Sequence, residues 1–348
     1  MIYFNSDYLE GAHPRIMEMM HETNMVQTTG YGEDEYCEKA RELIKEACQS
    51  PDALVQFLVG GTQTNMTVIS AALRPHQGVL CASTGHINAH ETGAVESYGH
   101  KVLTLPSEDG KITAEQVRQY VDIHRADPSF EHMVQPGMVY ISHPTETGTS
   151  YTKAELTALS ETCRELGIYL FLDGARLAYG LAASDSDLDL PTIAKLCDVF
   201  YIGGTKCGAL MGEAVVINHE DLKKDFRYII KQKGGMLAKG RLLGIQFIGL
   251  FENGLYEEVG QHAIRLADKL RAAISEMGIP FYNENTTNQI FIVLEDSMIA
   301  EISKAFSLGY TERVDETHSV MRICTSWATK EENVDALIEV LQQNFRSV

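Results

Sequence analysis

The chain has 348 residues, 44% of them apolar, enough for a large domain plus a smaller one without covalent staples. Its formal charge of −19 argues against nucleic acid or an anionic membrane as a partner, because phosphate binding needs a basic face. The seven cysteines are odd in number and show neither C-x-x-C nor a zinc-type spacing with His, so free thiols and no metal site are expected.

The N-terminal stretch Met1–Glu10 holds two acids and no basic run, unlike a signal peptide, and no apolar run approaches membrane-spanning length. A cytoplasmic protein is expected. Short apolar runs rich in β-branched and aromatic residues then follow at Leu54–Val59, Gly78–Cys81, Lys101–Leu105, Met138–Ser142, Ile168–Leu172, Val199–Gly203 and Ala214–Ile217. Several are apolar throughout, as in strands covered on both faces. Helix-period segments lie between them, most clearly at Thr64–Leu73, Ala114–Ile123 and Lys153–Leu166. The alternation predicts an α/β protein with a mostly parallel seven-stranded sheet. Beyond it, Leu222–Gly249 reads as helical but broken at Gly234-Gly235, and Tyr256–Met277 as a long helix. Strand-like Gln289–Leu294, helical Met298–Phe306, strand-like Val320–Cys324 and a last helix, Lys330–Phe345, predict a small α+β domain. The expected division is 1–250 for the large domain and 251–348 for the small one.

Ligands of an open parallel sheet bind beyond the carboxyl ends of its strands. After Leu54–Val59 the chain reads Gly60-Gly61-Thr62-Gln63-Thr64-Asn65 and enters a helix, either a tight capped turn or a phosphate cradle. After Ile168–Leu172 comes Asp173-Gly174-Ala175-Arg176, either a helix cap with a surface Arg or a carboxylate for a cationic ring nitrogen beside a guanidinium fork. After Val199–Gly203 comes Gly204-Thr205-Lys206, and an amine there is either solvated or a nucleophile. Each reading is weak alone. Together, in this order, they supply a phosphate site, an acid for a pyridine and an amine for an aldehyde.

With further marks the chain resembles a known family. These are Asn5-Ser6-Asp7, Gly30-Tyr31-Gly32-Glu33-Asp34, Gly85-His86-Ile87-Asn88 with Glu91-Thr92-Gly93-Ala94, Thr145-Glu146-Thr147-Gly148 and Met321-Arg322-Ile323-Cys324-Thr325-Ser326. The set resembles the fold-type I pyridoxal-phosphate (PLP) enzymes, with the architecture of aspartate aminotransferase. Within them it resembles the L-threonine aldolase and phenylserine aldolase branch of the beta-eliminating lyases. The resemblance covers nearly the whole chain. It implies that Lys206 carries the cofactor as a Schiff base, that Asp173 partners the pyridine nitrogen and that His86 stacks on the ring. It implies Gly61 and Thr62 in the phosphate cradle with Gln63 adjacent, and Arg176 near the phenolate and the substrate carboxylate. Ser6 and Arg322 are the implied holders of that carboxylate.

The implied reaction is retro-aldol cleavage of an L-3-hydroxy-α-amino acid to glycine and an aldehyde. A base must take the β-hydroxyl proton, and His86, His132 or a water are the candidates. The chain departs from the threonine aldolase pattern at Leu237, where an Arg is typical, with Lys239 or Arg241 as substitutes reaching a neighbouring subunit's phosphate. Thr145-Glu146 also departs, towards the phenylserine type. A homodimer or homotetramer with shared sites is implied, acting on a small amino acid. The alternatives are a fold-type I lyase that eliminates a β-substituent or an aminotransferase, in which Lys206 is the base. A binding protein that kept the fold is disfavoured because Lys206, Asp173, Arg176 and Arg322 are all present.

Overall fold

The computed structural model describes residues 1–345. Its strands, in chain order, are β1 (Ile2–Tyr3), β2 (Leu54–Leu58), β3 (Gln77–Ala82), β4 (Val102–Leu105), β5 (Gln135–Ser142), β6 (Tyr169–Asp173), β7 (Val199–Gly203), β8 (Glu213–Ile217), β9 (Gln289–Glu295), β10 (Phe306–Ser307), β11 (Gly309–Arg313) and β12 (His318–Cys324). Seven of them form one sheet in the order β2-β8-β7-β6-β5-β3-β4. All neighbours pair in parallel except β8, which runs antiparallel to both β7 and β2. The seven predicted runs are these seven strands, shifted by a few residues at most.

Alternation along each strand sends side chains to two separate cores. Ile141, Leu172, Ile202 and Val216 join a core with Ile44, Leu159, Ile193 and Phe247 on one face. Tyr140, Phe171, Tyr201 and Val215 join a second core with Val68 and Ile69 of the helix Gly61–Ala72 on the other. Burial on both faces explains why the strands read as unbroken apolar runs.

Among the helices left unassigned in the sequence are Pro14–Glu22 and Glu35–Ala47. The second begins where the Asp34 carboxylate accepts the Cys37 N–H at 2.9 Å, and it buries Cys37, Ala40 and Ile44 at helical spacing. Gly244 of the helix Arg241–Phe251 packs against it so closely that a Cβ there would lie 2.7 Å from Cys37 Cα.

The C-terminal part is a three-stranded antiparallel sheet, β11-β12-β9, under the helices Leu255–Met277 and Glu331–Phe345. The helix Leu255–Met277 belongs to two cores. Val259, Ala263 and Ile264 pack into the large-sheet core, while Leu266, Leu270 and Ile274 pack under the small sheet. Phe4 lies in that same small core, because β1 pairs in parallel with β10. The N-terminus is thereby carried from the small sheet to the carboxyl edge of the large one. No helix among the described residues is long and apolar enough to cross a membrane.

Candidate active site

The carboxyl ends of β2, β5, β6 and β7 open into a cavity of about 520 Å³. Gly60, Gly61, Thr62, His86, Asp173, Arg176, Lys206 and Arg322 line it, so groups far apart in sequence meet there.

Asp173, the last residue of β6, is the best-anchored group. Its Oδ1 accepts the Tyr201 hydroxyl at 2.5 Å and the Ala175 N–H at 3.0 Å. Its Oδ2 accepts the Tyr140 hydroxyl at 2.6 Å and the Asn65 amide at 3.1 Å. Burial by itself pushes this carboxyl up, but His86 and the two tyrosine hydroxyls outweigh it and hold the group below its ordinary range. Burial and the adjacent Asp173 charge push both phenols upward, so they remain donors. Tyr140 and Tyr201 read as core residues in the sequence. Only the sheet register shows that they stand one strand to either side of β6 on the Asp173 face.

His86 is oriented through Glu91, whose Oε1 lies 2.7 Å from the ring Nδ1 and also accepts the Asn65 amide at 2.7 Å. Burial lowers the ring's affinity for a proton, yet Glu91 and Asp173 together raise it above the usual histidine value. The His86 N–H donates to Glu146 at 2.9 Å, and the Ser142 hydroxyl donates to the same oxygen at 2.6 Å.

The phosphate-cradle candidate is the start of the helix Gly61–Ala72. Gly60 is extended, at φ −176 and ψ 166, and accepts the Thr64 N–H at 3.0 Å, leaving the N–H groups of the first turn unbound within the helix. A Cβ on Gly61 would sit 3.0 Å from the Tyr201 hydroxyl, so the closeness of that turn to the site needs glycine.

Lys206 is half-buried, with Nζ 5.8 Å from the centre of the Tyr8 ring. The loop before it is pinned by Glu213, which accepts the Thr205 hydroxyl at 2.8 Å and the Gly204 N–H at 3.1 Å. Burial pushes the Glu213 carboxyl up to about 7, against the pull of the Lys206 ammonium. Because β8 is antiparallel, its first residue falls opposite Gly203, at the carboxyl edge.

Arg176 forms a bidentate pair with buried Asp7, Nε to Oδ2 at 2.6 Å and Nη2 to Oδ1 at 3.0 Å. Burial alone raises the Asp7 carboxyl, but Arg176 outweighs it and holds Asp7 ionised. Asn288 completes that carboxylate at 2.9 Å. Arg322 donates to the Asn5 carbonyl at 3.1 Å and to Gln289 Oε1 at 3.2 Å. Ser6 lies between these tethers, and its hydroxyl is buried without a hydrogen-bond partner among the described residues.

Known proteins match this chain over nearly its whole length. The family model described as beta-eliminating lyase matches residues 4–297. The chain belongs to the beta-eliminating lyase family. A low specificity L-threonine aldolase of Pseudomonas aeruginosa is 31% identical over 96% of this chain and 95% of its own length. A solved structure of Leishmania major threonine aldolase is 46% identical, covering 99% of this chain and all of its own, with a TM-score of 0.97. Thermus thermophilus aspartate aminotransferase, 15% identical over 99% of this chain and 91% of its own, shares the fold with a TM-score of 0.71. The fold is therefore the expected fold-type I architecture.

Five residues proposed from the sequence do not line this cavity, Ser6 with its buried hydroxyl and four more. His132 is exposed in a short turn before β5, at the amino end of a strand whose carboxyl end faces the site. Eight residues of strand, about 26 Å at ~3.3 Å each, separate those ends. Of the candidates for the base, His132 therefore lies apart from this cavity, while His86 lines it. Gln63 neighbours the cradle in sequence, but its side chain turns to the Val59 N–H at 3.2 Å and the Lys233 carbonyl at 3.4 Å. Lys239 is exposed outside the cavity. Arg241 donates to the carbonyls of Val26 and Asn24, holding an outer loop. Asp7, Asn65, Tyr140, Tyr201 and Glu213 are among the site residues that sequence reasoning did not assign.

Proposed function

We propose that this lyase is a PLP-dependent aldolase that cleaves L-3-hydroxy-α-amino acids such as L-threonine or phenylserine to glycine and an aldehyde. The observation that carries the reading is the convergence of Lys206, anchored Asp173 and the Gly61–Thr62 helix start on one cavity. PLP fits these groups one by one. Lys206 would be the amine for its aldehyde, and Asp173, held below its ordinary range, would be the partner for its pyridine nitrogen. The unbound N–H groups at Gly61 and Thr62 receive its phosphate. When bound, PLP supplies an electron sink for a carbanion at the substrate α-carbon.

The rest is the work of the protein. Tyr140 and Tyr201 keep Asp173 charged and fixed. Glu91 sets the orientation of the His86 ring, which would lie against the cofactor when it is bound. Arg322, with the unpartnered Ser6 hydroxyl, would bind the substrate carboxylate and so fix the orientation of the α-carbon. Arg176 is held for that region by Asp7 and keeps Nη1 uncommitted. Exposed Tyr31 and Tyr228 and half-buried Met236 form a surface with Arg227 and Lys231 that we assign to a homo-oligomeric contact, with Lys239 and Arg241 in the adjoining segment. Seven buried free cysteines support a reducing, cytoplasmic setting.

The visible spectrum of the purified protein tests the reading. A yellow protein that gains a sharp red-shifted band with glycine, and releases acetaldehyde from L-threonine, is the expected result. A protein that stays colourless when PLP is added overturns it.

A further inference from the structure

Three carboxyl side chains line the cavity: Glu146, Asp173 and Glu213. Asp173 accepts hydrogen bonds on both oxygens, from Tyr201 and Ala175 on one and from Tyr140 and Asn65 on the other. Glu213 is likewise occupied on both, by Thr205 and Gly204. Glu146 differs. Its two anchors, Ser142 Oγ and the His86 N–H, both fall on Oε1, and neither touches Oε2. The carboxyl is held rigidly by one oxygen and presents the other.

We propose that Glu146 is the acid–base residue of the aldol step, taking the proton of the substrate β-hydroxyl on Oε2 as the Cα–Cβ bond breaks. This rests on the aldolase reading above. The hydroxyl oxygen becomes the aldehyde carbonyl, the electron pair of the broken bond stays on Cα, and Cα later takes up a proton to become glycine. In the synthetic direction the protonated Glu146 returns its proton to the aldehyde oxygen.

The surroundings favour Glu146 over the histidines. His86 is tied to Glu91 through Nδ1, and its raised proton affinity makes it a poor acceptor. The groups facing Glu146 are His86, Asp173, Tyr140, Tyr151 and Cys81. Burial lifts its carboxyl above the usual range, Ser142 and its own N–H pull back, Asp173 adds to the rise and His86 opposes it. The net rise brings it closer to the neutral operating range that suits a general base.

The decisive comparison uses the PLP-loaded protein and two reactions. One is cleavage of L-threonine and L-phenylserine. The other is exchange of the glycine α-proton with deuterium oxide, which involves no β-oxygen. For Glu146→Gln, cleavage is expected to fall about 10²–10⁴-fold, the usual contribution of a general base, while glycine exchange persists. The acid limb of the kcat/KM profile, set above the usual carboxylate range, is expected to disappear, and Glu146→Asp to restore part of the rate. Parallel loss of both reactions makes Glu146 merely structural and overturns the proposal. Unchanged cleavage also overturns it, and selective loss in His90→Ala then moves the role to that cavity-lining histidine. If the unaltered protein exchanges glycine but cleaves neither compound, the aldolase reading itself fails, an outcome distinct from the others.

Discussion

The two ends of the same strands differ sharply. At the carboxyl ends of β5, β6 and β7, Ser142, Asp173 and the loop to Lys206 sit in a network of buried hydrogen bonds. At the amino ends, exposed pairs such as Gln77 with Gln135 at 2.9 Å and His76 with Gln135 at 3.2 Å do little more than close turns. Residue chemistry does not separate the ends, since both hold histidines, acids and amides. Solvent does. A hydrogen bond or charge pair screened by water is worth little, whereas in a dry cleft each one shifts a proton equilibrium or fixes an orientation.

The contrast breaks most visibly at Lys206. Lys206→Ala is expected to abolish covalent attachment of PLP, read by borohydride reduction and mass spectrometry. Pyridoxyl fixed on another lysine would refute the assignment. Next is Asp173→Asn, which keeps the shape and removes the charge. Turnover is expected to fall about 10²–10³-fold, the size seen when one charge-stabilising group is removed, with PLP still attached. Unchanged turnover would take Asp173 away from the pyridine nitrogen.

Asp7→Asn sharpens the comparison through stability. It leaves the Arg176 guanidinium buried without its counter-charge, and losing one partner of a buried pair costs roughly 3–5 kcal/mol. Denaturant unfolding is the measurement, and a shift no larger than a surface mutation gives would mean that water reaches the pair. At the small end, His132→Ala should leave kcat/KM unaltered and stability within about 0.5 kcal/mol, as for an exposed residue without special contacts. A large activity loss there would mean that His132 serves a site built with another copy of the chain.

The same physics explains what was legible beforehand. Asp173, Lys206 and the Gly60-Gly61-Thr62 turn were readable because each follows an apolar run directly, and in a parallel sheet that position points to the ligand edge. His132 misled because proximity to β5 in sequence does not say which end of β5 it flanks. Gln63 was not placed by its sequence neighbours, because as the third residue of its helix its side chain turns to the Lys233 carbonyl.

By itself the sequence determined the seven strands, the main crossover helices and three of the groups at the strand ends, because burial on two faces and the start of a helix leave local marks. Tertiary structure decided the rest. Tyr140 and Tyr201 became ligands of Asp173 through strand register. Glu213 reached the site because β8 alone runs backwards, which brings its first residue to the edge where its neighbours end. Asp7 met Arg176 across 169 residues because β1 is held by β10 of the C-terminal part. None of these leaves a local pattern, since each depends on which strands lie side by side and in which direction they run.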